Sequence, residues 1–333
     1  MPARHCRVIL GSEHPRLLQI AAGFSLLHAT GELSVTYAGC HPLRDVYPHN
    51  TALFAVFDDG AKLIYDLGAY EDIPDEAQYD AALAPLTRCF RLCYLPERHG
   101  ERLSRRKLRP LGLPYDVTSE NNFMRPPKGK APLPEDYLSH NSYPAYQGLF
   151  YTRLYDPADA RSDAHAAELE RANAHRIACL RACREALGDR LIGGLSPTAY
   201  ARQQAPELVL PPELAERPAY LRLLKRNFVC VIPEGPEHFP SRKLAEATAA
   251  GRALLCPEPY YLLPGGFARR RNFSAYETPE DSARALVQLL DNVPWIHRME
   301  AANYAYHNTY VRPDALVRRT LEDAFGQDEK TDG

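Results

Sequence analysis

Ser241, Arg242 and Lys243 stand in a row where a polar loop gives way to an alanine-rich stretch, and Glu246 follows shortly after. The apolar residues 228–232 read as a buried strand, 233–240 as a loop, 241–251 as a helix closing at Gly251, and 253–256 as a second strand. A strand–loop–helix–strand unit belongs to a parallel sheet, where ligands sit beyond the carboxyl ends of the strands. The first turn of such a helix offers free backbone N–H groups and the positive end of the helix dipole, which favour an anion. Two basic side chains in that turn oppose the dipole unless something negative lies near them. A diphosphate fits that need. Glu246 falls about one turn further on, on the side flanked by Arg242 and Lys243. A carboxylate there can accept hydrogen bonds from sugar hydroxyls. The plainer alternative is a βαβ unit with a solvated basic turn.

Other residues could join this chemistry. Arg153 ends an apolar strand in Phe-Tyr-Thr-Arg-Leu-Tyr-Asp, and either faces a cleft or pairs at the surface with Asp156 or Asp159. Tyr260 and Tyr261 follow the strand at 253–256 and either stack on a ring or pack. In the N-terminal half, strand-end carboxylates are the candidate bases, provided that burial raises their pKa. Asp66, at the end of an apolar strand, is preferred over Asp58 and Asp59, because Asp58-Asp59-Gly60 also reads as a hairpin turn. Glu71 and Asp72 lie just beyond. No Ser–His–Asp order or HExxH helix is present, and the 12 histidines are dispersed.

The pattern Ser-Arg-Lys-x-x-Glu-Ala-x-x-Ala-Gly, followed by an apolar strand, resembles the donor-binding segment of GT-B glycosyltransferases. It is most similar to the exostosin-like and CgeB-like groups, in which this helix faces a nucleotide sugar. The resemblance implies an α/β fold of two Rossmann-like domains with an interdomain cleft and C-terminal helices crossing back. It also implies a nucleotide-sugar donor held by Arg153, His238, Ser241, Arg242, Lys243, Glu246, Tyr260 and Asn272, the last in a loop that closes on the donor in related enzymes. No metal or other cofactor is expected, since the helix dipole and cationic side chains meet the leaving-group charge. Retaining families carry a second Glu two helical turns earlier; His238 occupies that register, with Glu234 and Glu237 out of step. Inversion is therefore favoured. The acceptor would be a glycan, a lipid-linked molecule or a small molecule. Three rivals remain: a sugar-nucleotide epimerase using His238, Glu234 and Glu237; a glycosyltransferase of modified DNA bases using the basic stretch 98–109; and a non-catalytic nucleotide-sugar-binding module.

These residues need a scaffold, and 333 residues are enough for two α/β domains. Hydrophobic content of 45% and charged content of 25% are ordinary for a globular chain, and a net charge of −2 gives no general field for nucleic acid. No apolar run approaches membrane-spanning length and the N-terminus lacks a signal-like apolar region, so a cytoplasmic setting is expected. The 8 scattered cysteines lack CxxC spacing and read as reduced. Residues 7–11, 15–33 and 34–38 form a β–α–β opening; strands at 53–57 and 62–67, a helix at 79–86 and a strand at 88–95 follow. The stretch 118–146 loses all periodicity. Beyond it come a strand at 148–154, a helix at 163–187, strands at 190–195 and 228–232, a helix at 219–225, and helices at 279–290 and 294–325. The expected partition is 1–117 for the acceptor side, 118–146 for a linker, 147–295 for the donor side and 296–333 for terminal helices and tail.

Overall fold

A computed structural model describes residues 4–43, 46–68, 76–99, 106–126, 131–138 and 145–326. Glu71 and Asp72 lie outside these residues, as does part of the basic stretch 98–109. The chain is α/β and divides into two compact units. Unit 1 takes residues 1–135, 261–265 and 308–333; unit 2 takes 136–260 and 266–307.

Unit 1 begins with β1 (Arg4–Leu10), α1 (Leu18–Ala29) and β2 (Leu33–Cys40). It continues through β3 (Ala52–Phe57), β4 (Lys62–Asp66), α2 (Glu76–Leu83), β5 (Arg88–Arg91), α3 (Pro96–His99) and β6 (Leu108–Pro110). The strand order is β2-β1-β3-β4-β5-β6. Five strands run parallel, but β3 is antiparallel to both β1 and β4. The cause is the link Asp58-Asp59-Gly60, in which Gly60 takes φ 88°. So short a turn can only reverse the chain, because a parallel partner needs a crossover of a dozen residues or more.

Unit 2 contains β7 (Ala145–Thr152), α4 (Asp163–Leu187), β8 (Leu191–Leu195), α5 (Ala199–Gln204), α6 (Pro212–Ala215), α7 (Arg217–Arg226) and β9 (Asn227–Val231). It goes on with α8 (Arg242–Ala249), β10 (Ala253–Cys256), β11 (Ser274–Ala275), α9 (Pro279–Leu290) and α10 (Val293–Tyr306). All five strands are parallel, in the order β11-β10-β9-β7-β8. Every residue of β9 and β10 is buried, as a sheet covered on both faces requires. One layer holds α4 packed on α9; α8 packs on α10.

The last helix, α11 (Pro313–Phe325), returns to unit 1 and packs against α1. Gly23 makes that approach possible: a Cβ there would lie 2.3 Å from the Pro313 carbonyl oxygen. The terminal helical stretch thus serves both units, since α10 stays with unit 2 and α11 crosses back. No helix among the described residues is long and apolar enough to cross a membrane.

Candidate functional site

In unit 2 the chain order reverses between β7 and β9, the two strands from which crossovers leave in opposite directions. Open α/β sheets bind ligands at the carboxyl end of such a pair. Arg153 emerges there directly after β7. It is exposed, its guanidinium lies 5.3 Å from the Tyr155 ring, and it makes no ion pair among the described residues. Asp156 instead caps the next turn, accepting from the Ala158 N–H.

Arg176, which sequence reasoning missed, ties the two strand ends together. It lies on α4, 4% exposed, and donates from Nη1 to the Arg153 carbonyl (2.6 Å) and from Nη2 to the Glu234 carbonyl (2.7 Å). Its Nε has no hydrogen-bond partner among the described residues. The available signal was an arginine on the buried stripe Leu169, Ala172, Asn173, Cys179, Leu180 and Cys183 of an amphipathic helix.

Beyond β9 the loop carries Glu237 and His238 at φ 55° and 57°, a left-handed region that residues other than glycine seldom enter. The strain is offset by fixed contacts: the Glu237 N–H donates to Glu168 Oε1 at 3.0 Å, its carboxylate pairs with Arg161, and His238 Nδ1 bonds to Glu234. The His238 ring stacks on Tyr260 at 4.4 Å, and Tyr260 is 42% exposed. Two sequence candidates are thereby brought side by side.

Ser241 caps α8, its Oγ accepting from the Lys243 N–H at 3.3 Å. Arg242 is exposed at that end. Lys243 departs from expectation, because its ammonium turns inward to lie 4.3 Å from the Tyr151 ring and 4.0 Å from the Tyr220 ring. Burial pushes its pKa down to about 8, with nearby Glu246 offsetting part of the effect. Glu246 also departs from expectation. It is 3% exposed and accepts 2.8 Å hydrogen bonds from Arg217 Nη2 and the Tyr220 hydroxyl. Burial opposes its ionised form, but Arg217 and Lys243 hold its pKa below the usual value. Glu246 anchors α8 to α7 rather than offering a free carboxylate to a ribose. Asn272 is likewise internal: it is 1% exposed, accepts from the Ala268 N–H and donates to Asn303 Oδ1. A side chain so engaged does not close on a ligand. Tyr261, 7% exposed, is a packing residue of unit 1.

The candidate bases of unit 1 also need correction. Asp58 and Asp59 are exposed in the β3–β4 turn, beside His5 (3.0 Å) and Arg4 (3.3 Å). That is the amino end of β1 and β4, opposite the end where a parallel sheet displays chemistry. Asp66 is at the correct end but fully buried. It meets Arg91 Nη1 at 3.0 Å and His49 Nδ1 at 3.2 Å, and accepts from the Tyr47 hydroxyl (2.8 Å) and the Gly68 N–H (2.9 Å). Burial raises its pKa, yet Arg91 and His49 outweigh that and the carboxyl group ends at about 2. The expected upward shift is reversed, and a carboxylate so committed does not collect a proton at neutral pH. Among the described residues, the exposed titratable groups at this end include Glu13 and His14 in the β1–α1 link, with His14 Nδ1 accepting from the Arg16 N–H at 3.2 Å. Among the described residues no group of three or more His, Cys, Asp or Glu is arranged to hold a metal.

No family model matches the chain, and no curated protein matches it. Solved structures with a similar fold include the Anabaena protein HepE in complex with UDP and glucose, at 12% identity and a TM-score of 0.46, covering 95% of this chain and 97% of that one. A glycosyltransferase from Rickettsia africae aligns at 9% identity and a TM-score of 0.44, over 71% of this chain and 62% of its own. A putative UDP-N-acetylglucosamine 2-epimerase from Listeria monocytogenes aligns at 14% identity and a TM-score of 0.41, over 79% and 66%. This chain therefore spans under two thirds of the Rickettsia and Listeria proteins.

Proposed function

We propose that unit 2 binds a nucleoside-diphosphate sugar at the carboxyl end of its sheet, and that the protein is a glycosyltransferase of the exostosin-like or CgeB-like kind. The observation that carries this reading is the strand pair β7–β9, clamped by Arg176 with Arg153 exposed at its end. The α8 N-terminus, capped by Ser241 and flanked by Arg242, supplies backbone N–H groups and a cation for the departing diphosphate. The His238–Tyr260 stack offers an exposed ring face to a base or sugar. Charge met in this way makes transfer independent of a divalent metal, and inversion is the favoured outcome. The acceptor is a glycan, a lipid-linked molecule or a small molecule, met in a reducing, cytoplasmic setting. Epimerisation is the weaker reading, because it needs free acids and bases around the sugar. Glu234 is engaged with His238, and Glu237 with Arg161.

A thermal-shift panel of nucleoside diphosphates and nucleotide sugars tests the binding step, since a ligand of the native state alone must raise apparent stability. Radiolabelled transfer from the stabilising nucleotide sugar to a glycan and lipid extract tests the reaction. A panel that stabilises nothing removes the donor assignment. Stabilisation with interconversion of the free sugar nucleotide, and no transfer, moves the protein to the epimerase reading.

A further inference from the structure

Arg269, Arg270 and Arg271 are all exposed and make no ion pair among the described residues. Like charges crowded in sequence repel, so a flexible loop would spread them apart. Here the backbone is fixed instead. The Ala268 N–H donates to Asn272 Oδ1, and the Arg271 and Asn272 N–H groups donate back to the Ala268 carbonyl. Asn303 of α10 holds the carbonyls of both Arg252 and Asn272. Arg270 itself sits at φ 66°, a conformation unfavourable for a long side chain. The Trp295 indole N–H donates to its carbonyl at 3.2 Å. A strained turn has been pinned from three sides, and its product is three guanidinium groups facing water.

The position of the turn excludes the diphosphate. Ser274 of β11 pairs in register with Leu255 of β10, and Asn303 holds Asn272 level with Arg252. The arginines therefore lie toward the amino ends of these strands, away from the end that carries Arg153 and Ser241. Trp295 is half-buried beside them in the first turn of α10, and Arg298, one helical turn on along the same side, is exposed. The nearest acid in sequence before α10, Asp291, is paired with Arg190. An indole at the rim of an arginine cluster is the combination found at membrane–water interfaces, where the ring enters the headgroup layer and the cations meet anionic lipid.

We propose that this face of unit 2 (Arg269, Arg270, Arg271, Trp295 and Arg298) docks on an anionic bilayer surface. The proposal rests on this face alone, so failure of the donor assignment leaves it standing. A bilayer at this end would leave the carboxyl end of the same sheet open.

Trp295 is the only tryptophan of the chain and reports on its own site. The full chain is titrated with vesicles of phosphatidylcholine, with and without about one third phosphatidylglycerol. The expected result is a blue shift of tryptophan emission, with quenching by brominated lipid tails, on the anionic vesicles only and reversed by salt. Replacing Arg269→Ser, Arg270→Asn and Arg271→Ser together keeps a residue tolerant of positive φ at the strained position. It should weaken partitioning by about a hundredfold, from a factor of roughly five per basic residue near the surface. Equal binding to neutral and anionic vesicles, or no quenching, overturns the proposal. So does a shift elicited by DNA or RNA oligomers and not by vesicles. If the triple variant does not fold, quenching in the unsubstituted chain decides the matter.

Discussion

Both units bury an arginine at the carboxyl end of their sheet, and the two are used in opposite ways. Arg176 of unit 2 gives its donors to main-chain carbonyls after β7 and β9. It ties two strand ends together while leaving Arg153 exposed and without an ion pair among the described residues. Arg91 of unit 1 donates to the Cys93 carbonyl and the Tyr79 hydroxyl, and pairs with Asp66. There the charge is cancelled internally, and Tyr47, His49 and Tyr79 close over it. The first arrangement leaves a cation exposed, as the proposed donor site requires; the second builds a core. An arginine near a strand end is therefore no guide to function until its acceptors are known.

The sharpest way to break this contrast is Asp66→Asn. If the cluster is structural, the change leaves Arg91 without its counter-charge inside the protein. Unfolding free energy in urea should then fall by about 3–5 kcal/mol, the usual loss on breaking a buried pair. If Asp66 were a base, stability would hold while turnover fell about 10²–10⁴-fold. Acid should act in the same direction as the substitution. The folded pKa of about 2 lies below that of an unfolded aspartate, so the stability that Asp66 contributes is complete above pH ~4 and lost as pH falls toward 2.

Arg176→Met comes next. It preserves bulk but strips two carbonyls of their donors, at about 1–3 kcal/mol for each group left unsatisfied. Because those carbonyls set the β7–β9 spacing, donor affinity measured by calorimetry should fall with stability. Stability lost with unchanged affinity would mean that Arg176 supports the fold alone. Arg242→Ala and Arg153→Ala should do the reverse. Both residues are exposed, so stability should move by less than about 0.5 kcal/mol. Nucleoside-diphosphate affinity should fall roughly 10- to 150-fold, as for a lost charged hydrogen bond. Unchanged affinity in both would remove the diphosphate from this end of the sheet.

The sequence carried the framework well, because its signals are local. The strand at 253–256 and the helix at 279–290 have the bounds expected of them, and the helix expected to open at Ser241 does so, with that serine as its cap. What could not be read was direction. Lys243 and Glu246 are spaced as if to flank a ligand, but α8 is buried on nearly every side from Leu244 to Ala249, so spacing alone does not say which face is open. Their partners Arg217, Tyr220 and Tyr151 are distant in sequence, as are Asp66, His49 and Arg91. Charges that neutralise one another in the core look, in one dimension, like charges waiting for a substrate. The antiparallel β3 was legible in principle, since the same short turn that marked a hairpin also forbids a parallel crossover.

Lys243 gives the subtlest test of the contrast, because it is a cation of the open end that has been drawn inward. Burial depresses its folded pKa to about 8, below the ordinary lysine value. Between those two values the unfolded chain binds more protons than the folded one, so stability should rise as pH increases from about 8 toward 10.4. The rings of Tyr151 and Tyr220 attract the ammonium and oppose this. The rise should therefore be modest, about 1–2 kcal/mol, and Lys243→Met should flatten it while leaving the acid limb set by Asp66 unchanged. Urea midpoints across pH 7–10.5 would measure it. A rise that persists in Lys243→Met would assign the titration to another group. A Lys243→Met variant that binds nucleoside diphosphate as weakly as Arg242→Ala would mean that the lysine swings out to the ligand, and that the two units are less different than their geometry makes them.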